Sequence, residues 1–170
     1  MEPLTSNGTP GGPLDLSASQ REVWLDQRAW PGSTHLYIGG VAYLEGQLDV
    51  DRLVKALGLL VAESDAMRLV PHEDGTQTLL NTCELPVEHC SPGKDIDLHI
   101  AVDAWWTQKL QQPFAWDGKP PWRFGILRGG ADHHAVVMQY HHLVMDGWGT
   151  ARLIQRWSEL YNLLLSSDEV

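Results

Sequence analysis

The chain has 170 residues, 43% hydrophobic and 20% charged, which fits one globular domain with a substantial core. A formal net charge of -10, with no basic run and no interleaving of basic and aromatic residues, excludes attraction to nucleic acid or to an anionic membrane through bulk charge. Apolar runs are too short to span a bilayer, no signal pattern opens the chain, and Cys83 and Cys90 make no disulfide framework, so a cytoplasmic protein with free thiols is expected.

Residues 1–13 are rich in Gly, Pro and small polar residues and read as a flexible lead-in. A helix follows Leu16. Ser17 and Gln20 have the spacing of a capping box, in which the hydroxyl accepts an early N–H and the amide reaches back. Val23, Trp24 and Gln27 continue along one side, and Trp30-Pro31-Gly32 ends the helix. Residues 38–45 read as a strand closed by Gly46. Asp49 caps the clearest helix of the first half, with Val50, Leu53, Val54, Leu57, Leu60 and Val61 on one face. Residues 67–70 read as a short strand, His72-Glu73-Asp74-Gly75 as a turn, and 77–80 as the return strand of a hairpin.

Residues 81–94, with Pro86, Pro92 and Gly93, read as irregular. A further helix carries Leu98, Val102, Trp105 and Trp106 on one face and stops at Gln111-Gln112-Pro113-Phe114. Asp117-Gly118-Lys119-Pro120-Pro121 is a loop. Trp122, Phe124 and Ile126 alternate with Arg123, Gly125 and Leu127 as a strand. A Gly129-Gly130-Ala131-Asp132 turn returns the chain as the apolar strand 135–140. The last helix places Leu153, Ile154, Trp157, Leu160, Tyr161 and Leu164 on one face. This order of elements defines an α/β sandwich, a mixed sheet covered by helices.

The apolar strand delivers His141 and His142 into Leu143-Val144-Met145-Asp146-Gly147-Trp148-Gly149. Imidazole is the side chain most readily set to exchange a proton near neutral pH. Strand alternation puts His141 with Gln139 and Val137, and His142 with Tyr140 and Met138, on opposite faces. One histidine is therefore expected to be structural and the other to face a cavity. Asp146-Gly147 suits a tight loop, Gly147 lets backbone approach a ligand, and the following helix brings free N–H groups to the same place. Three readings of these residues stay open: satisfied core histidines, a catalytic site, or a metal site on His142 and Asp146 that lacks an obvious third ligand. His133-His134, beside a turn, reads as a solvated hairpin tip. Cys83, His89, Cys90 and His99 fit no zinc spacing.

The stretch from His141 to Gly147 resembles the HHxxxDG motif of condensation domains of nonribosomal peptide synthetases. Leu16-Ser17-Ala18-Ser19-Gln20-Arg21-Glu22-Val23-Trp24-Leu25 resembles that family's first motif. Glu63-Ser64-Asp65-Ala66-Met67-Arg68 stands where the family has an RHExLR-type segment, and matches only at Met67 and Arg68. Pro113-Phe114, with Arg123 on the next strand, resembles the family's PFDL segment, with Ala115 in place of the aspartate.

The resemblance implies a domain of two lobes with the fold of chloramphenicol acetyltransferase, which together enclose a tunnel. Residues 14–170 would be the amino-terminal lobe, and the carboxy-terminal lobe is expected to be absent from this chain. The resemblance implies acyl transfer between two carrier proteins. The amine of a downstream aminoacyl thioester attacks an upstream acyl or peptidyl thioester, both held on phosphopantetheine arms, with no cofactor or metal of the domain's own. It implies His142 as general base or as the group that positions the amine, and Gly147 as the opening beside the thioester. It implies His141, Asp146, Arg123 and Arg68 as structural support, Asp146 by binding an arginine. One lobe alone is expected to be inactive. Two other classes remain open: a module that docks a carrier protein or self-associates, and a stand-alone acyltransferase that uses acyl-CoA as an oligomer.

Overall fold

The computed structural model describes residues 12–93, 96–116 and 118–166. Most of the lead-in expected over 1–13 lies outside them, as does Asp117 of the expected loop. The elements are β1 (Leu14–Asp15), α1 (Ala18–Ala29), β2 (Tyr37–Glu45), α2 (Val50–Glu63), a 3-10 turn (Asp65–Arg68), β3 (Leu69–Pro71), β4 (Thr76–Leu79), β5 (Val87–Cys90), α3 (Leu98–Leu110), β6 (Trp122–Arg128), β7 (His133–His141) and α4 (Gly147–Ser166). They form the expected α/β sandwich. Among the described residues, no helix is long and apolar enough to cross a membrane.

The main sheet runs β2-β7-β6-β5, antiparallel except for the parallel pair β5 and β6. A smaller antiparallel sheet runs β1-β4-β3. In the main sheet β7 is internal and is buried on both faces from His134 to His141. Val136, Met138 and Tyr140 join Leu53, Leu57 and Leu60 of α2 and Leu153, Trp157 and Leu160 of α4 in the larger core. Ala135 and Val137 join Val102 and Trp105 of α3 in a second core on the other face. Two covered faces explain why this strand reads as a continuous apolar run.

Both expected caps form. The Gln20 N–H donates to Ser17 Oγ at 3.2 Å while the Ser17 N–H donates to Gln20 Oε1 at 3.0 Å, completing the box. Asp49 accepts the Arg52 N–H at 3.0 Å.

Two local expectations are corrected. The stretch 81–94 contains β5, whose pairing is parallel and long-range. Glu88 of β5 accepts Trp105 Nε1–H at 3.1 Å and pairs with the buried Lys109, tying α3 to the sheet edge. Leu98, Val102, Trp105 and Trp106 pack together on one face of the main sheet, as expected, with Trp105 over Gly125 of β6 and Trp106 over Gly39 of β2. Of the two histidines at the hairpin tip only His133 is solvated; His134 is buried, with Nε2 3.2 Å from the Ala131 carbonyl oxygen.

Candidate active site

β7 ends at His141. The chain turns there. The His142 N–H donates to the Leu36 carbonyl at 2.8 Å and the Val144 N–H to that of His141 at 3.1 Å. Leu143, Val144 and Met145 are 2%, 7% and 6% exposed and anchor the turn in apolar surroundings, while the His142 side chain is exposed. The two imidazoles do diverge. The His142 N–H bond to Leu36 is in register with the β2–β7 pairing, and the anchored turn follows it.

His141 is 2% exposed. Its Nδ1 accepts the Leu143 N–H at 3.1 Å, so that nitrogen is unprotonated. Nε2 therefore carries the proton and donates to Gln27 Oε1 at 2.9 Å. Tyr37 and Trp116 meet the ring edge-on at centroid distances of 5.7 and 5.9 Å. Burial, with smaller contributions from His142 and His35, pushes the His141 pKa down to about 4, so the ring is neutral at neutral pH.

His142 lines an open cleft of about 410 Å³ together with Gln20, Val23, Ala66, Leu69, Asp146 and Gly149. A different, smaller cavity of about 150 Å³ lies against His141, walled by Trp24, Gln27, Arg28, Tyr37, Phe114 and Trp116. Asp146 caps α4: Oδ1 accepts the Gly149 N–H at 2.6 Å, and its carbonyl accepts the Thr150 N–H and hydroxyl, both at 2.9 Å. A Cβ placed at Gly147 would meet no atom within 4 Å, so that position faces open space.

Arg123 and Arg68 sit elsewhere. Arg123 donates to the Gln112 carbonyl at 2.7 Å and stacks 4.1 Å over Phe114, which packs on Tyr37 behind His141. Arg68 donates to the Leu80 carbonyl at 2.7 Å and pairs with Asp65 at 2.5 Å, closing the 3-10 turn onto the end of β4. Neither lines the cleft. Gln20 and Gln27 do touch the motif, through Leu143 and His141 respectively. Their seven-residue spacing, two helical turns, is the sequence signal for a shared face. Among the described residues, no group of three His, Cys, Asp or Glu could hold a metal ion.

Fold and motif together define one α/β-sandwich lobe that carries HHxxxDG where its central strand ends. The condensation-domain family model matches residues 12–170, and the chain belongs to that family. Beauvericin nonribosomal cyclodepsipeptide synthetase of Beauveria bassiana is 29% identical over 163 residues, covering 93% of this chain and 5% of the synthetase. Cyclosporin synthetase simA of Tolypocladium inflatum is 31% identical over 158 residues, covering 88% of this chain and 1% of the synthetase. The solved starter condensation domain of rhizomide synthetase RzmA matches with a TM-score of 0.80 at 26% identity, over 91% of this chain and 38% of that one. The chain thus spans a small fraction of the curated synthetases and well under half of the solved domain.

Proposed function

We propose that residues 14–170 are the amino-terminal lobe of a condensation domain of nonribosomal peptide synthesis. The domain would join an acyl or peptidyl group, held as a thioester on one carrier protein, to the amine of an aminoacyl thioester on another. One observation carries the reading: of the two adjacent histidines, only His142 reaches the open cleft, beside the N-terminus of α4.

In that reaction the amine nitrogen bonds to the thioester carbonyl, the C–S bond breaks, and the amine's proton is passed on as the thiol departs. His142 stands where it can hold the amine or accept that proton. Asp146 occupies the N–H groups of Gly149 and Thr150. The first N–H groups of α4, those of Gly147 and Trp148, are then the ones to meet a developing oxyanion. His141, neutral and buried, supports the turn. Asp146 fixes the helix start, and Arg123 and Arg68 hold the surrounding loops. Substrates arrive on phosphopantetheine arms, and the domain supplies no cofactor or metal of its own. The free thiols of Cys83 and Cys90 fit a reducing, cytoplasmic setting.

The partners are an upstream and a downstream carrier protein and the carboxy-terminal lobe that would close the cleft. The openness of that cleft and the 38% coverage of the solved domain support this half-domain reading. These residues alone then form no amide. The test is to incubate the chain with an acyl-loaded and an aminoacyl-loaded carrier protein, with and without a separately supplied carboxy-terminal lobe. Amide product only in the completed mixture is expected, and product from the chain alone would overturn the half-domain reading. Carrier binding or self-association without product in either mixture would favour a docking module. Turnover of an acyl-CoA would favour a stand-alone acyltransferase.

A further inference from the structure

The turn that presents His142 is gripped by two amide side chains of one helix. Gln27 is 7% exposed. Its Nε2 donates to the carbonyls of Trp30 and Ser33 at 3.0 and 3.3 Å. Only the amide nitrogen can donate, so Oε1 must point the other way, toward His141 Nε2 at 2.9 Å. That oxygen only accepts. His141 thus keeps its proton on Nε2 and leaves Nδ1 to receive the Leu143 N–H at 3.1 Å.

Gln20 acts on the same residue from its other polar group. Its Nε2 donates to the Leu143 carbonyl at 3.1 Å. Gln20 is itself held by a reciprocal amide pair with Gln77 of β4, at 2.9 and 3.0 Å. Both backbone polar groups of Leu143 are therefore tied to α1, one directly and one through His141. Leu143 directly follows His142.

We infer that Gln20 and Gln27 are positioning residues for acyl transfer: they fix the tautomer of His141 and both polar groups of Leu143, and so the direction of His142. The inference rests on His142 being the transfer residue. In the other His141 tautomer, Nδ1–H would face the Leu143 N–H and bare Nε2 would face Gln27 Oε1. Both contacts would be lost at once, in a site with little water to replace them.

Long-range proton–nitrogen NMR spectra of the chain are expected to show His141 protonated on Nε2. In Gln27→Leu, which offers no acceptor, the His141 Nε2–H loses its partner, and the His141 ring and the His142 and Leu143 amide signals should shift. In the two-lobe domain, with carriers loaded with a panel of acyl and aminoacyl groups, this variant should lose roughly 10- to 100-fold in kcat with KM for either carrier little changed. Gln20→Met should lower kcat while the His141 tautomer stays on Nε2, and this variant decides the matter if Gln27→Leu does not fold. Unchanged kcat in Gln20→Met, or unchanged amide signals and kcat in Gln27→Leu, would overturn the inference. If the unsubstituted two-lobe domain forms no amide, the functional reading fails, and the NMR comparison still decides whether Gln27 sets His141.

Discussion

Asp146 Oδ1 accepts the Gly149 N–H at 2.6 Å, and the space beside that bond admits no side chain at residue 149. A Cβ there would lie 2.6 Å from Met145 Sδ and 3.1 Å from Asp146 Oδ1. Met145 is 6% exposed and has little room to yield. Gly149→Ala is expected to destabilise the fold by about 1–2 kcal/mol, because overpacking outweighs the better helix propensity of alanine. Asp146→Ala should cost about 1 kcal/mol through the lost cap. Urea unfolding followed by circular dichroism checks both.

Gly147, two residues earlier, should behave oppositely. Its Cβ would enter open space. Gly147→Ala is expected to leave stability unchanged or raise it by up to about 1 kcal/mol, the propensity gain at a helix start. Any loss of transfer rate in this variant then comes from the cleft and not from the fold.

Burial of neutral His141 makes stability depend on pH. Its pKa falls from 6.5 to about 4 in the folded chain. The unfolded chain takes up the proton first, so this contribution is complete above about pH 6.5, declines as pH drops, and is gone below about pH 4. The full effect is on the order of 3 kcal/mol. Urea midpoints between pH 7.5 and 4 should fall more steeply for the native chain than for His141→Asn, which has no proton to gain.

The Tyr140 hydroxyl is buried and has no hydrogen-bond partner among the described residues. Burial raises its pKa well above the ordinary value, so it stays neutral. Tyr140→Phe removes an unsatisfied group and keeps the ring against Phe124. It is expected to raise stability by about 1 kcal/mol, read as a higher urea midpoint at unchanged m.

Sequence carried the features that depend on neighbours along the chain. Ser17 with Gln20, Asp49 with Arg52, and the apolar faces of α2 and α4 are local, and they form as expected. What failed was set by distant packing. β5 is four residues long and owes its place to parallel pairing with β6 and to the Glu88–Lys109 pair with α3. Alternation placed β6 as a strand, but that Gly125 and Leu127 are buried as well follows from α3 covering the second face. At the site, the HHxxxDG stretch was legible as residues but not as geometry. Leu143, Val144 and Met145 are buried in the turn after His142, and His141 is held by Gln27, 114 positions away. No spacing rule joins those two residues, and only the folded arrangement of α1 beside β7 does.

The central claim is that His142 alone of the histidine pair faces the reacting groups. Single-turnover amide formation in the two-lobe domain, comparing native His142 with His142→Ala, tests it most directly. The His142 side chain is exposed, and its N–H bond to the Leu36 carbonyl survives the substitution, so stability should change by less than about 0.5 kcal/mol. The rate is expected to fall by roughly 100- to 10,000-fold, the range for a lost proton-transfer group. A His142→Ala domain that forms amide at the native rate would contradict the account.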